Sequence, residues 1–302
     1  MYQKSDPRSG MVAAAAKPAA PVTAMADAEL AAFDATTPGI AADGTTTWSM
    51  RGQNFVTAYS DCAAGAVLHH ANEPDESFLV VLDANASVSV TIDGVATELP
   101  GRTIAVLPPG AASVKAITPA TLLRVFTLRS PQAASAANAR SYAEPHPNVA
   151  PLVPWPAPNG GYRLRTYPIP EQPAQGRFGS VFRTSCLMIN FLAVTATPRD
   201  KRKLSPHHHD DFEQMSFAQS GEWIHHIRWP WTPDATLWRD DVHLRCGSPS
   251  LCIIPPPALH TSEAISSGPN ALIDIFSPPR LDFSMMDGWV LNAEDYPMPE
   301  LR

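Results

Sequence analysis

Charge is scarce in this chain: only 17 % of its 302 residues are Asp, Glu, Lys or Arg, and the formal net charge is −7. A field of that sign repels nucleic acid and anionic membranes, so neither is an expected partner. The densest basic cluster, Arg199, Lys201, Arg202 and Lys203, is interrupted by Asp200 and reads as a solvated strand end. Cysteine is sparse too. Four occur, at positions 62, 186, 246 and 252, with no CxxC pair, which favours reduced, buried thiols over a disulfide framework. The spacing that leaves room for a bridge is Cys246 to Cys252. No apolar run approaches the ~18 residues that a membrane helix needs. A Walker loop, a dinucleotide-binding glycine fingerprint, a Ser-His-Asp order and paired catalytic cysteines are all missing. Nucleotide hydrolysis, hydride transfer to NAD and acyl transfer therefore have no support. Residues 1–40 lack a compact apolar core of the signal-peptide kind and read as a flexible leader, so a cytoplasmic location is expected.

Apolar residues are not scarce. They make up 44 % of the chain, enough to bury a sizeable core, and 32 prolines fall largely between short apolar runs. Frequent proline interrupts helices and separates strands, so the expected class is all-β. Over residues 41–130 the runs FLVVLDANASVSVTIDGVATEL, TIAVLPPGAASVKAI and TLLRVFTL follow one another closely. Asp93-Gly94 between two alternating segments is a hairpin signal. A Pro-rich connector is expected over 131–176 and a second β-rich unit with an apolar tail over 177–302. Each unit carries a Pro-Pro turn late in its length, which suggests an internal duplication.

Seven of the ten histidines fall between 207 and 260. On an extended strand, residues two apart share a face, so His207 and His209 aim their rings together. His260 arrives just after a proline-rich turn, and Glu213 or Gln214 offers an oxygen. Three imidazoles and one oxygen suit a borderline divalent ion. Adjacent strand residues point to opposite sides, so only one of Glu213 and Gln214 can face that ion. The spacing to Gly221 favours Gln214, and His208 should point away.

These segments resemble the two signature motifs of the cupin superfamily: His-x-His, a Glu or Gln three or four residues on, then Gly, and later Gly, Pro and a third His. His207, His209, Gln214, Gly221, Gly247, Pro255 and His260 stand at matching positions. Pro257 replaces a glycine of the second motif and Ala264 replaces its closing Asn. The first β unit keeps His70, Glu76, Pro108 and Gly110, but has Asn72 and Ser113 where further histidines would stand. The resemblance implies two cupin-type jelly-roll β-barrels in one chain, the first degenerate and the second metal-binding. It implies Fe(II) first among the ions, with Mn, Ni, Zn or Cu also suited. It leaves monomer and homodimer open.

Substrate handling is expected from the strand after Gly221. His225 or His226 would shuttle a proton, and Arg228 would grip a carboxylate if its face looks inward. Trp229, Trp231 and Trp238 would form an aromatic wall over the pocket mouth or cover apolar surface between the barrels. The first expected activity is a dioxygenase cleaving a small hydroxylated or diketone-like organic acid. A non-redox isomerase or lyase acting on a sugar acid, and a non-catalytic small-ligand binder, are the alternatives.

Overall fold

The computed structural model describes residues 22, 24–146 and 148–300, so most of the expected leader lies outside the described residues. The first half contributes β1 (Glu29–Ala32), β2 (Gly39–Ile40), β3 (Thr46–Arg51), β4 (Phe55–Cys62), β5 (Val67–Glu73) and β6 (Ser77–Val81). It continues with β7 (Ser87–Ile92), β8 (Val95–Pro100), β9 (Thr103–Leu107), β10 (Gly110–Ala116) and β11 (Ala120–Thr127). The second half begins after β12 (Arg165–Pro168) and holds β13 (Gly179–Arg183), β14 (Met188–Leu192), β15 (Gln214–Ser220) and β16 (Trp223–Arg228). It ends with β17 (Val242–Cys246), β18 (Ser250–Ile254), β19 (Leu259–Ala264), β20 (Ala271–Phe276) and the single-turn helix α1 (Leu281–Ser284).

These strands form a seven-stranded sheet (β12-β9-β6-β11-β4-β3-β2) beside a four-stranded one (β5-β10-β7-β8), and a six-stranded sheet (β1-β18-β15-β20-β14-β13) beside a three-stranded one (β17-β16-β19). Each half is an antiparallel jelly-roll sandwich. The expected barrels are thus paired open sheets rather than closed cylinders. The two large sheets run through their strands in the same order, which is the duplication written in topology. The Asp93-Gly94 hairpin forms as expected, joining β7 to β8 with φ of 50° and 78°.

Burial explains the sequence pattern strand by strand. In β6, β9, β13 and β18 every residue is buried, because one face looks into its own sandwich and the other toward the opposite half. Such strands read as unbroken apolar runs. The small sheets are wetted on one side, and β7 and β17 alternate accordingly. The largest apolar cluster joins the halves: Phe55, Phe78, Val80 and Ile104 pack with Phe182, Met215, Phe217 and Ile275. Phe33 stacks on Trp48 at 5.2 Å within the same seam, and Tyr59 meets Phe217 at 5.4 Å.

The halves also exchange parts. Strand β1, from within the expected leader, pairs with β18 of the second half, and β12, from within the expected connector, pairs with β9 of the first. The exchange continues at two buried carboxylates. Tyr142, beyond β11, donates its hydroxyl to Glu213 Oε1 of the second half at 3.0 Å. Tyr296, beyond β20, donates to Glu76 Oε1 of the first half at 2.9 Å. The Gln53 backbone N–H also donates to Glu213, and the turn there admits only glycine at position 52, where a Cβ would lie 2.6 Å from Glu213 Oε2.

Removing either hydroxyl takes one donor from a buried carboxylate. Tyr296→Phe and Tyr142→Phe are each expected to lower the unfolding free energy by about 1–3 kcal/mol, read from urea denaturation midpoints. Unchanged midpoints in both variants would show that these bonds hold nothing together.

Candidate metal centre

Strand β15 leads the chain into the second sandwich with Gln214 inward, and β19 brings His260 opposite the segment that precedes it. His207 and His260 form an isolated antiparallel bridge, their backbones exchanging bonds of 3.0 and 2.8 Å. That bridge and the two-residue strand period bring three rings together. The centroid separations are 4.4 Å for His207–His260, 5.1 Å for His209–His260 and 5.2 Å for His207–His209. All three residues are buried, and one nitrogen from each lies within 4.8 Å of the others. His208 points outward, toward Asp210, as expected.

Neighbouring groups fix the rings. His207 Nδ1 lies 2.9 Å from the Ser205 carbonyl and His260 Nδ1 lies 3.0 Å from that of Ala258. A carbonyl only accepts, so both Nδ1 atoms carry the proton and Nε2 is left as the basic atom. His209 stacks on Phe212 at 4.4 Å and meets the edge of Phe276 at 5.8 Å. Gln214 Oε1 lies 3.0 Å from His209 Nε2 and 3.3 Å from His260 Nε2. The Gln214 amide nitrogen donates to Ser216 Oγ and Asp274 Oδ1, each at 3.0 Å, which sets the amide the right way round. Asp274 sits on a strand flanked on both sides and orients this amide.

Glu213 takes the opposite side. Its carboxylate belongs to the cluster with Gln53, Tyr142 and His146, whose Nδ1 lies 3.2 Å away. Of the two expected oxygen donors, the strand turns Gln214 toward the histidines and Glu213 away from them. Past β15, Gly221 closes the turn with φ 87°, and a Cβ there would meet Asn270 Oδ1 at 2.2 Å. That is why the motif carries glycine at this point.

The residues expected to handle a substrate divide by face. Trp223, His225 and Ile227 of β16 point inward, and Ile224, His226 and Arg228 outward. Arg228 is an exposed partner of Asp241, with Nε 2.9 Å from Oδ1, and not a fork in the cavity. His226 contacts His243 Nδ1 at 2.8 Å and Glu263 Oε2 at 2.9 Å on that same outer face. His225 is fully buried, with Nδ1 2.9 Å from Ser262 Oγ and Nε2 without a partner. Trp229 is buried among Met25, Ile254 and Ala258, while Trp231 and Trp238 stack on each other at 4.8 Å, exposed. None of the three tryptophans lines the cavity or belongs to the seam between the halves.

A cavity of about 480 Å³ opens on the histidines, lined on its apolar side by Phe178, Leu192, Trp223 and Leu272. Arg199 and Lys203 also line it. Arg199 donates to Ser205 Oγ at 2.5 Å, on the residue whose carbonyl holds His207, and to the Ser262 carbonyl at 2.9 Å, two residues past His260. The expectation of a wholly solvated basic run is corrected here. The signal that could have found it is its position directly ahead of the His-x-His segment.

The first half differs at the matching place. Opposite His70 stands Ala112, and Ser113 pairs with His69, so Ala112 rather than Ser113 takes the place His260 has across from His207. Among the described residues, His207, His209 and His260 are the one group of three or more side chains arranged to hold an ion. All four cysteines are buried and free, Cys246 and Cys252 included, and no helix among the described residues is long and apolar enough to cross a membrane.

No family model matches the sequence, and no curated protein matches it. Solved structures do. AerE from Microcystis aeruginosa superposes with TM-score 0.53 at 13 % identity, covering 80 % of this chain and 98 % of its own. A point mutant of Bacillus subtilis oxalate decarboxylase gives 0.54 at 15 % identity over 87 % of this chain and 82 % of its own. Lactobacillus farciminis oxalate decarboxylase, solved as a formate complex, gives 0.54 at 12 % identity over 83 % and 86 %. The fold is therefore that of a cupin with two jelly rolls, as the motifs implied.

Burial holds the His70 imidazole down to about 3, aided by the Arg124 charge, and that of His225 down to about 4. Both groups are neutral in the fold but bind protons near 6.5 once unfolded. Stability is then complete above pH ~6.5 and falls as the pH drops from there toward ~4. His70→Gln is expected to flatten that slope by up to one proton's worth, about 1.4 kcal/mol per pH unit. Equal slopes in the variant and the parent, from denaturation at several pH values, would contradict the assignment.

Proposed function

We propose that the second jelly roll is a metal-dependent catalytic site for a small organic acid, and that its reaction is a dioxygenase cleavage. The observation that carries the metal reading is the convergence of three buried imidazoles, two with their Nδ1 protons committed to backbone carbonyls and the third, His209, stacked on Phe212. His207, His209 and His260 would hold the ion through nitrogen and Gln214 through its amide oxygen. With no carboxylate in that set, the ion keeps its full charge. A divalent iron or manganese there supplies Lewis acidity and one-electron chemistry toward dioxygen. Fe(II) is our first choice. Mn(II) is the second, since Bacillus subtilis oxalate decarboxylase is described with Mn(II) centres.

The chain's own contribution is binding and enclosure. Arg199 and Lys203 bring positive charge to the cavity wall and favour a carboxylate substrate. Phe178, Trp223 and Leu272 shed water from the rest of that anion's surface. His226 and Arg228 lie on the outer face, which leaves His225, buried on the inward face, as the remaining candidate on that strand to carry a proton.

A second reading, a non-oxidative lyase, has one favouring observation: the structural neighbours include decarboxylases of oxalate. Oxygen consumption separates the two. Protein loaded anaerobically with Fe(II) is expected to take up dioxygen with hydroxylated or diketone acids. Turnover without uptake would replace the oxygenase reading by the lyase.

Metal analysis of freshly purified protein is expected to find one divalent ion per chain. His260→Ala should lose it, and Asp274→Ala, which releases the Gln214 amide, should weaken binding by about 10–100-fold. Arg228→Ala should leave turnover and metal content unchanged. Full metal retention by His260→Ala would overturn the site.

A further inference from the structure

Strand register sets Arg124 of the first sandwich where the second has Asp274. Arg124 pairs with Leu79, two residues past Ser77, just as Asp274 pairs with Ser216, two past Gln214. Phe126 and Phe276 correspond likewise, and a histidine ring rests on each, His70 at 5.2 Å and His209 at 5.8 Å. At the place matching the candidate metal centre, the first half thus carries a fixed cation.

That cation is poorly satisfied. Arg124 is 5 % exposed, its Nη2 donates to Ser60 Oγ at 3.2 Å, and its Nε has no partner. Among the described residues no carboxylate forms an ion pair with it. Glu73 acts on it only at longer range, and burial raises that carboxyl above its usual range. Both nitrogens of the buried His70 lack partners, as does Glu73 Oε1. Buried charges in folded proteins are paired, and buried polar groups are hydrogen-bonded. Here a guanidinium and an imidazole offer donors to one interior, and the chain answers them in part, with Ser60 Oγ and with the Phe126 ring 5.7 Å from the guanidinium.

We propose that the interior of the first sandwich binds a small monovalent anion, of the size of chloride or formate, on the Arg124 guanidinium and the His70 imidazole. The fully buried Leu79, Leu122 and Phe126 around it limit the occupant to a few atoms. The duplicated fold would then hold a cation in one half and an anion in the other, with the sign set by the residue at the Asp274 or Arg124 position.

The test is thermal unfolding of the full chain, with potassium chloride or potassium formate exchanged for potassium gluconate at constant ionic strength. A saturable rise in Tm of about 2–5 °C is expected with one or both small anions. Arg124→Met should abolish it without changing the divalent metal content, so this proposal and the metal reading stand or fall separately. No rise, or the same rise in Arg124→Met, would overturn it. Should that variant fail to fold, crystals of the parent soaked in bromide decide: anomalous density beside the Arg124 guanidinium supports the site, and its absence overturns it.

Discussion

Everything in this fold follows from two large sheets that must each be covered on both faces. A sheet buried on both sides must fit its side chains to both neighbours, so a shift by one residue would set each side chain against the wrong face. The central strands β15 and β20 are therefore held from within the sandwich and from the seam between halves. Gln214 and Asp274 stand on those strands. Their mutual bond of 3.0 Å, and through it the orientation of the amide oxygen toward the histidines, is an outcome of that packing.

Strand parity also divides two chemically similar neighbours. Glu213 and Gln214 are consecutive, and the pleat sends one to a Tyr142 hydroxyl and the other to the imidazoles. The carboxylate works as a strut between halves, and the neutral amide faces the cage. The cavity wall carries both signs of charge. Arg199 and Lys203 line it, while its two carboxylates are engaged, Asp274 by Gln214 and Ser216 and Asp200 by Arg202.

The histidine cage was legible in the sequence because its parts are local. His207 and His209 share a face through the two-residue period, and the Pro-rich turn before His260 marks the returning strand. The duplication was legible from the repeated Pro-Pro turns. What stayed hidden depends on contacts far apart in the chain. Either face of β16 presents a histidine, so alternation alone could not say whether His225 or His226 looks inward; the pairing with β19 decides. Arg199 looks like part of a charge run until its hydrogen bonds to Ser262 and Ser205 turn it to the cavity. Residues 29–32 and 165–168 carried no sign of their partners, because each joins a sheet formed mostly by the other half.

That reciprocal strand exchange bears on how the chain could be divided. A cut in the connector would strip β12 from β9 or leave β1 with no sheet to join, baring the backbone donors and acceptors of an edge built to be occupied. Two raw edges and two orphaned carboxylates would appear in a single step. The fold repeats one architecture twice, yet its unit of inheritance is the interlocked pair, and neither copy is a detachable module.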